Sequence, residues 1–176
     1  MLCILTKVEY NGKSYSVPVE GIHTNAISAK LDTGAVATTI SLSSLCAGYD
    51  SQVESSILQY IERRGLKPVH FTAANGTDVK CYRAYAKDVR VGNIIVPEFH
   101  YYVSVGIARK SFLLGNDFIS CCSFSHKCQG NILINSFNIE EYARNFAHGD
   151  YLLDEDITEI LEMVEAENTV MESSVF

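Results

Sequence analysis

The sequence contains no tryptophan and only three prolines among its 176 residues. Its large aromatic side chains are therefore 10 tyrosines and 8 phenylalanines. No apolar run approaches the ~20 residues that a helix needs to cross a bilayer, so no membrane partner is expected. Cysteine is present but unorganised. Cys3, Cys46, Cys81, Cys121, Cys122 and Cys128 lack the spacing of a disulfide framework, which suits a reducing compartment. Positive charge is scarce too: 14 Lys and Arg stand against 21 Asp and Glu, with no basic cluster, so no nucleic-acid face is expected. The opening Met1-Leu2-Cys3-Ile4-Leu5 is apolar but too short for a signal peptide, and no basic region precedes it. A cytoplasmic location is the expectation that follows.

What is present describes a globular chain with a core, since 47% of residues are hydrophobic. The formal charge of −7 hides a division. Residues 1–135 hold 13 basic and 10 acidic side chains, a net of +3, whereas residues 136–176 hold 1 basic and 11 acidic, a net of −10. Two regions are expected accordingly: a body over 1–135 and an acidic helical extension over 136–176.

The body reads as short strands joined by turns. Apolar alternation flanks Asn11-Gly12, Asn75-Gly76 and Gly92-Asn93, dipeptides that accept the positive φ angles of tight hairpins. Ile132-Leu133-Ile134 adds a further buried strand. A short helix is predicted over 41–46 and a longer one over 53–64, with Val53, Ile57, Tyr60 and Ile61 on one stripe and Gly65 ending it. Beyond residue 135, helices are predicted over 139–146 and 156–167. In the second, Ile157, Ile160, Leu161 and Val164 share a face, and Asp156 with Glu159 has capping-box spacing. The extension either packs on the body as a pair of helices, stands as a solvated amphipathic helix, or lies over the body as a restraint.

Among residues that carry chemistry, Cys121, Cys122, His126 and Cys128 include metal-ligand types. Adjacent cysteines rarely face one ion, however, and no second paired motif exists, so neither metal nor cofactor is expected. His23, His70, His100, His126 and His148 show no paired spacing, and no cysteine sits in a nucleophile context.

The sharpest motif is Ala29-Lys30-Leu31-Asp32-Thr33-Gly34-Ala35, an apolar strand that runs into a tight turn bearing a carboxylate. Gly34 lets the backbone approach another group closely, and nearby amide hydrogens can hold Asp32. Alone, this describes a hairpin turn with a surface carboxylate. A second motif, Phe112-Leu113-Leu114-Gly115-Asn116-Asp117-Phe118, reads as an apolar strand entering a helix through glycine. Between them lies the hairpin around Ala74-Asn75-Gly76-Thr77.

With all three parts in this order, residues 14–135 resemble the retropepsin-like aspartic proteases. The flap segment is closer to the bacterial and DNA-damage-inducible (Ddi-type) members than to the viral ones. The resemblance implies an all-β closed barrel or sandwich with one or two short helices, and an endopeptidase acting on a protein or peptide substrate. It also implies Asp32, Thr33 and Gly34 as the catalytic loop, with Thr33 linking two such loops by its hydroxyl. Ala35, Ala74, Asn75, Gly76, Thr77 and Phe112 become substrate-binding positions, and 109–112 a pocket wall. The chain has one Asp-Thr-Gly and no Asp-Ser-Gly, so the resemblance implies a homodimer pairing Asp32 with its copy. The rival expectation is a catalytically silent dimerisation or peptide-binding module of the same fold.

Overall fold

The computed structural model describes residues 2–5, 15–22, 27–46, 49–72, 75–106, 110–127, 132–146 and 151–173. In chain order the elements are β1 (Leu2–Leu5), β2 (Ser16–Glu20), β3 (Ile27–Leu31), β4 (Thr39–Ser41), α1 (Leu42–Leu45), α2 (Ser51–Arg63), β5 (Val69–Thr72) and β6 (Asp78–Val91). They continue with β7 (Ile94–Ser104), β8 (Phe112–Leu114), α3 (Asn116–Ile119), β9 (Cys122–Lys127), β10 (Ile132–Phe137), α4 (Ile139–Arg144) and α5 (Asp154–Ser173). Hydrogen bonding follows the order β2-β3-β8-β4-β7-β6 and returns from β6 to β2. Six strands thus close a mixed barrel, with β5 added beside β6. A separate antiparallel sheet has the order β1-β9-β10. This is the fold class expected, a closed barrel of strands with short helices and a helical C-terminal segment. Among the described residues no helix is long and apolar enough to cross a membrane.

The chain divides into two compact units, with β4, β6 and β7 each divided between them. The first comprises Met1–Thr39, Ala86–Tyr101 and Phe112–Gly149. Here β2 shows the period of a half-buried strand: Val17 and Val19 are buried, while Ser16, Pro18 and Glu20 are exposed. It pairs antiparallel with β3, from Ser16↔Lys30 to Val19↔Ile27. β3 in turn runs parallel to β8, with Leu31 opposite Leu114. The core is aromatic. Phe118 meets Phe99, Phe137 and Tyr142 at centroid distances of 6.1, 5.3 and 5.8 Å, separations typical of favourable ring pairs. The Tyr142 hydroxyl accepts from the His100 amide at 2.9 Å. The His100 ring stacks on Phe146 at 4.0 Å, and burial holds its imidazole below the ordinary value. The turn from β6 to β7 is the two-residue Gly92-Asn93 connection expected, with Gly92 at φ +56°. Asn93 also imitates a strand partner: its side chain accepts from Ile134 N at 2.8 Å and donates to Ile134 O at 2.9 Å.

The second unit comprises Ile40–Tyr85, Tyr102–Ser111 and Asp150–Phe176. α2 starts where the Asp50 carboxylate accepts from Val53 N at 2.9 Å. It buries Val53, Ile57 and Ile61. Its end is a Schellman arrangement, with Gly65 at φ +74° bonded to Glu62 O and Leu66 to Ile61 O. α5 packs on α2 and buries Ile157, Ile160 and Val164. Leu152, just before α5, makes a parallel bridge to Ala84, donating to Arg83 O at 2.8 Å and accepting from Tyr85 N at 3.3 Å.

The start of α5 corrects the expected capping box. The helix begins at Asp154, so Asp156 lies inside it, and its carboxylate reaches back to Leu153 N at 3.0 Å. The same carboxylate accepts from the Tyr60 hydroxyl at 3.3 Å and pairs with Arg64 at 2.8 Å. Tyr60 also donates to Glu159 at 2.5 Å. Burial first, then the Glu159 bond, holds the Tyr60 phenol well above its ordinary range, so it remains a donor. Asp156 is 4% exposed, whereas the Arg64 side chain is 54% exposed. Asp156→Ala is therefore expected to lower stability by about 1–3 kcal/mol in urea unfolding, because it strands a buried donor. Arg64→Ala should cost about 1 kcal/mol or less. Equal losses would mean that the ion pair, not the helix start, holds α5.

Candidate active site

Asp32 is the first residue past β3. Its amide donates to Leu114 O at 3.0 Å, which extends the parallel β3–β8 pairing by one bond into the loop. Ala35 N then returns to Asp32 O at 3.2 Å and closes a four-residue turn. Within that turn Gly34 N donates to Asp32 Oδ1 at 2.9 Å, so one carboxylate oxygen is already held by the backbone. A Cβ at residue 34 would sit 3.2 Å from that oxygen. Thr33, Gly34 and Val36 are exposed, and Asp32 and Ala35 half-buried, so the loop presents its carboxylate outward.

The second motif grips this loop from the other side. Asn116 N donates to Ala35 O at 2.9 Å, Asp117 N to Val36 O at 3.2 Å, and Asn116 Nδ2 to Thr33 O at 2.6 Å. Asp117 accepts from Thr38 N at 3.0 and 3.1 Å and from Thr38 Oγ1 at 2.7 Å. The fully buried Thr38 hydroxyl accepts in turn from Gly115 N at 3.2 Å. Burial pushes the Asp117 carboxyl above its ordinary value, against the opposing effect of the Thr38 bonds. A Cβ on Gly115 would lie 2.4 Å from the Ala37 carbonyl carbon, so only glycine permits this crossing.

Of the other positions expected to matter, Asn75, Gly76 and Thr77 form an exposed hairpin tip in the second unit. The β5–β6 register places Thr72 opposite Asp78 and is therefore centred on Asn75, which differs from a two-residue Asn75-Gly76 turn. Asn75 accounts for the difference: its side chain accepts from Thr77 N at 3.0 Å and takes a donor away from the ladder. Gly76 supplies φ +82°. His70 pairs with Asp78 at 2.9 Å beside this tip. Ala74 and Arg109 lie outside the described residues, as do the Asn11-Gly12 turn and Cys128. Phe112, in the first unit, is only 6% exposed. Ser111, next to it in the chain, is clamped by Ser41 Oγ and Ser44 Oγ at 2.9 and 3.0 Å.

Among the described residues no group of three or more His, Cys, Asp or Glu could hold a metal ion. Burial pushes the Cys46, Cys81 and Cys122 thiols up to about 12, far from forming thiolates near neutral pH. Thr38, Asn116 and Asp117 escaped the sequence reading as site residues. The signal available was two polar residues straight after Gly115, where helix entry needed neither.

No protein-family model matches the chain, and no curated protein matches it. Among solved structures it is similar to a retropepsin-like aspartic protease from Rickettsia conorii. The identity is 16%, the coverage 76% of this chain and 98% of that one, and the TM-score 0.43. A similarity of that size carries no weight for activity.

Two outcomes follow from the crossing. Gly115→Ala should cost about 1–3 kcal/mol or more in urea unfolding, whereas Gly34→Ala, with no backbone in its way, should stay near wild type. Equal effects would show that the Ala37 contact relaxes freely. For Asp117 the folded-state value lies above the unfolded one. Its contribution to stability is complete below the ordinary aspartate value of about 4 and is lost as pH rises through the raised value. Wild-type stability measured against Asp117→Asn should accordingly fall as pH rises from about 4 towards neutral. A flat or rising difference would refute the raised value.

Proposed function

We propose that this chain is a retropepsin-type aspartic endopeptidase that works as a homodimer, with Asp32 of each copy forming the catalytic pair. The observation that carries the proposal is the Asp32 loop itself. An outward carboxylate stands on a tight turn, one oxygen is already held by Gly34 N–H, and the turn is tied to residues 114, 116 and 117 by main chain and side chain. Such restraint costs conformational freedom that a merely solvated carboxylate does not need. Only one such motif occurs in the chain, so in this reading the second carboxylate would come from a second copy.

Two carboxylates brought that close share one proton. The ionised one takes a proton from a water molecule, which attacks the scissile carbonyl. The protonated one donates to the carbonyl oxygen as the tetrahedral intermediate forms. Thr33 would brace the paired loops, and Gly34 and Ala35 would flank the peptide main chain. Asn75, Gly76 and Thr77 would act as the flap that pairs with an extended protein or peptide substrate.

The test is digestion of a diverse peptide pool, read by mass spectrometry, with wild type beside Asp32→Asn at several chain concentrations. Cuts made by the wild type and absent from the variant are expected, with a rate per chain that rises with concentration. Equal cutting by both proteins would remove Asp32 from the chemistry. A dimeric wild type that cuts nothing would leave the peptide-binding module in its place.

A further inference from the structure

Thr33 O and Gly34 N–H are the two ends of one peptide group. Its N–H end donates to Asp32 Oδ1 at 2.9 Å, and its carbonyl end accepts from Asn116 Nδ2 at 2.6 Å. We infer that Asn116 is a positioning residue that orients the Asp32 carboxylate through the Thr33–Gly34 peptide, an assignment that rests on the protease reading for its catalytic meaning.

The chemistry allows one direction only. A carbonyl can accept but not donate, so the Asn116 atom facing it is the amide nitrogen. A peptide whose carbonyl accepts a hydrogen bond is polarised, and its N–H becomes a stronger donor. That donor faces Asp32 Oδ1 and fixes the direction in which the carboxylate points. The Asn116 amide also lengthens the reach of a restraint already present. Asn116 N holds Ala35 O at 2.9 Å, so one residue brackets Gly34 on both sides.

Packing gives no competing reason for an asparagine here. The residue is exposed and opens α3, a position that many residue types occupy equally well. Gly115 supplies the tight crossing and Asp117 the buried hydrogen bonds to Thr38, so neither task falls to Asn116. Among the described residues of β3, β8 and α3 the other titratable groups are Lys30, on an exposed strand position, and Asp117, turned towards Thr38.

The experiment compares full-length wild type with Asn116→Leu, similar in size but without a donor, and Asn116→Gln, which restores one. In ¹⁵N-labelled protein the Gly34 amide proton should move upfield in Asn116→Leu and return part of the way in Asn116→Gln. With peptide substrate, kcat should fall about tenfold in Asn116→Leu at unchanged KM, a loss of the size expected for one hydrogen bond near a charge. Thermal midpoints should stay level. An unmoved Gly34 signal would overturn the inference whatever the activity. So would a moved signal with kcat unchanged in a cutting enzyme. Should the wild type cut nothing, the protease reading falls by that result alone. The Gly34 signal would still decide whether Asn116 sets the Asp32 carboxylate.

Discussion

A methyl group at residue 115 would sit 2.4 Å from the carbonyl carbon of Ala37, so two segments far apart in sequence meet main chain to main chain. That approach brings Asn116 N to Ala35 O and Asp117 N to Val36 O, and it sets Thr38 where its hydroxyl bridges Gly115 and Asp117. The polar groups closed in by the crossing thereby find partners, and leaving any one unmatched would cost free energy on its own account. The shape of the Asp32 turn is thus inherited from a contact between two other residues.

The aromatic core supplies the other half of the constraint. Phe118 lies in α3, two residues beyond Asn116, and is wedged among Phe99, Phe137 and Tyr142. A four-residue helix has little stability of its own. Its position follows from that ring cluster, and Asn145 adds a bond from its side chain to Asp117 O at 2.8 Å. Precision at the loop is therefore drawn from dense packing some way behind it, while the loop itself stays exposed.

Much of this was legible because it depends on local chemistry. Gly92-Asn93 makes the two-residue turn its composition implies, and Gly65 stops α2 through a left-handed residue. Phe112 to Ile119 reads as a strand entering a helix because apolar residues run up to a glycine. What escaped depends on partners distant in sequence. The segment from Cys121 to Cys128 stood out for its thiols and His126, whereas its part Cys122–Lys127 is the central strand between β1 and β10. Asp156 had the spacing of a helix cap, but Leu152 bonds to the main chain of β6 and moves the helix start two residues earlier. Thr38 and Asp117 are unremarkable in their own neighbourhoods and acquire meaning only when a crossing 79 residues apart puts them within 2.7 Å.

The Leu152 bridge bears on solubility. β5 pairs with β6 as far as Cys81, and Leu152 then satisfies Arg83 O and Tyr85 N further along the same strand. A chain shortened to end before Leu152 would present those two peptide groups unpaired, next to the buried Ala84 side chain. A bare strand margin of that kind is a template for pairing with other chains. In the folded chain the Leu152 bridge covers that stretch of the strand margin, within a segment, 136–176, of net charge −10.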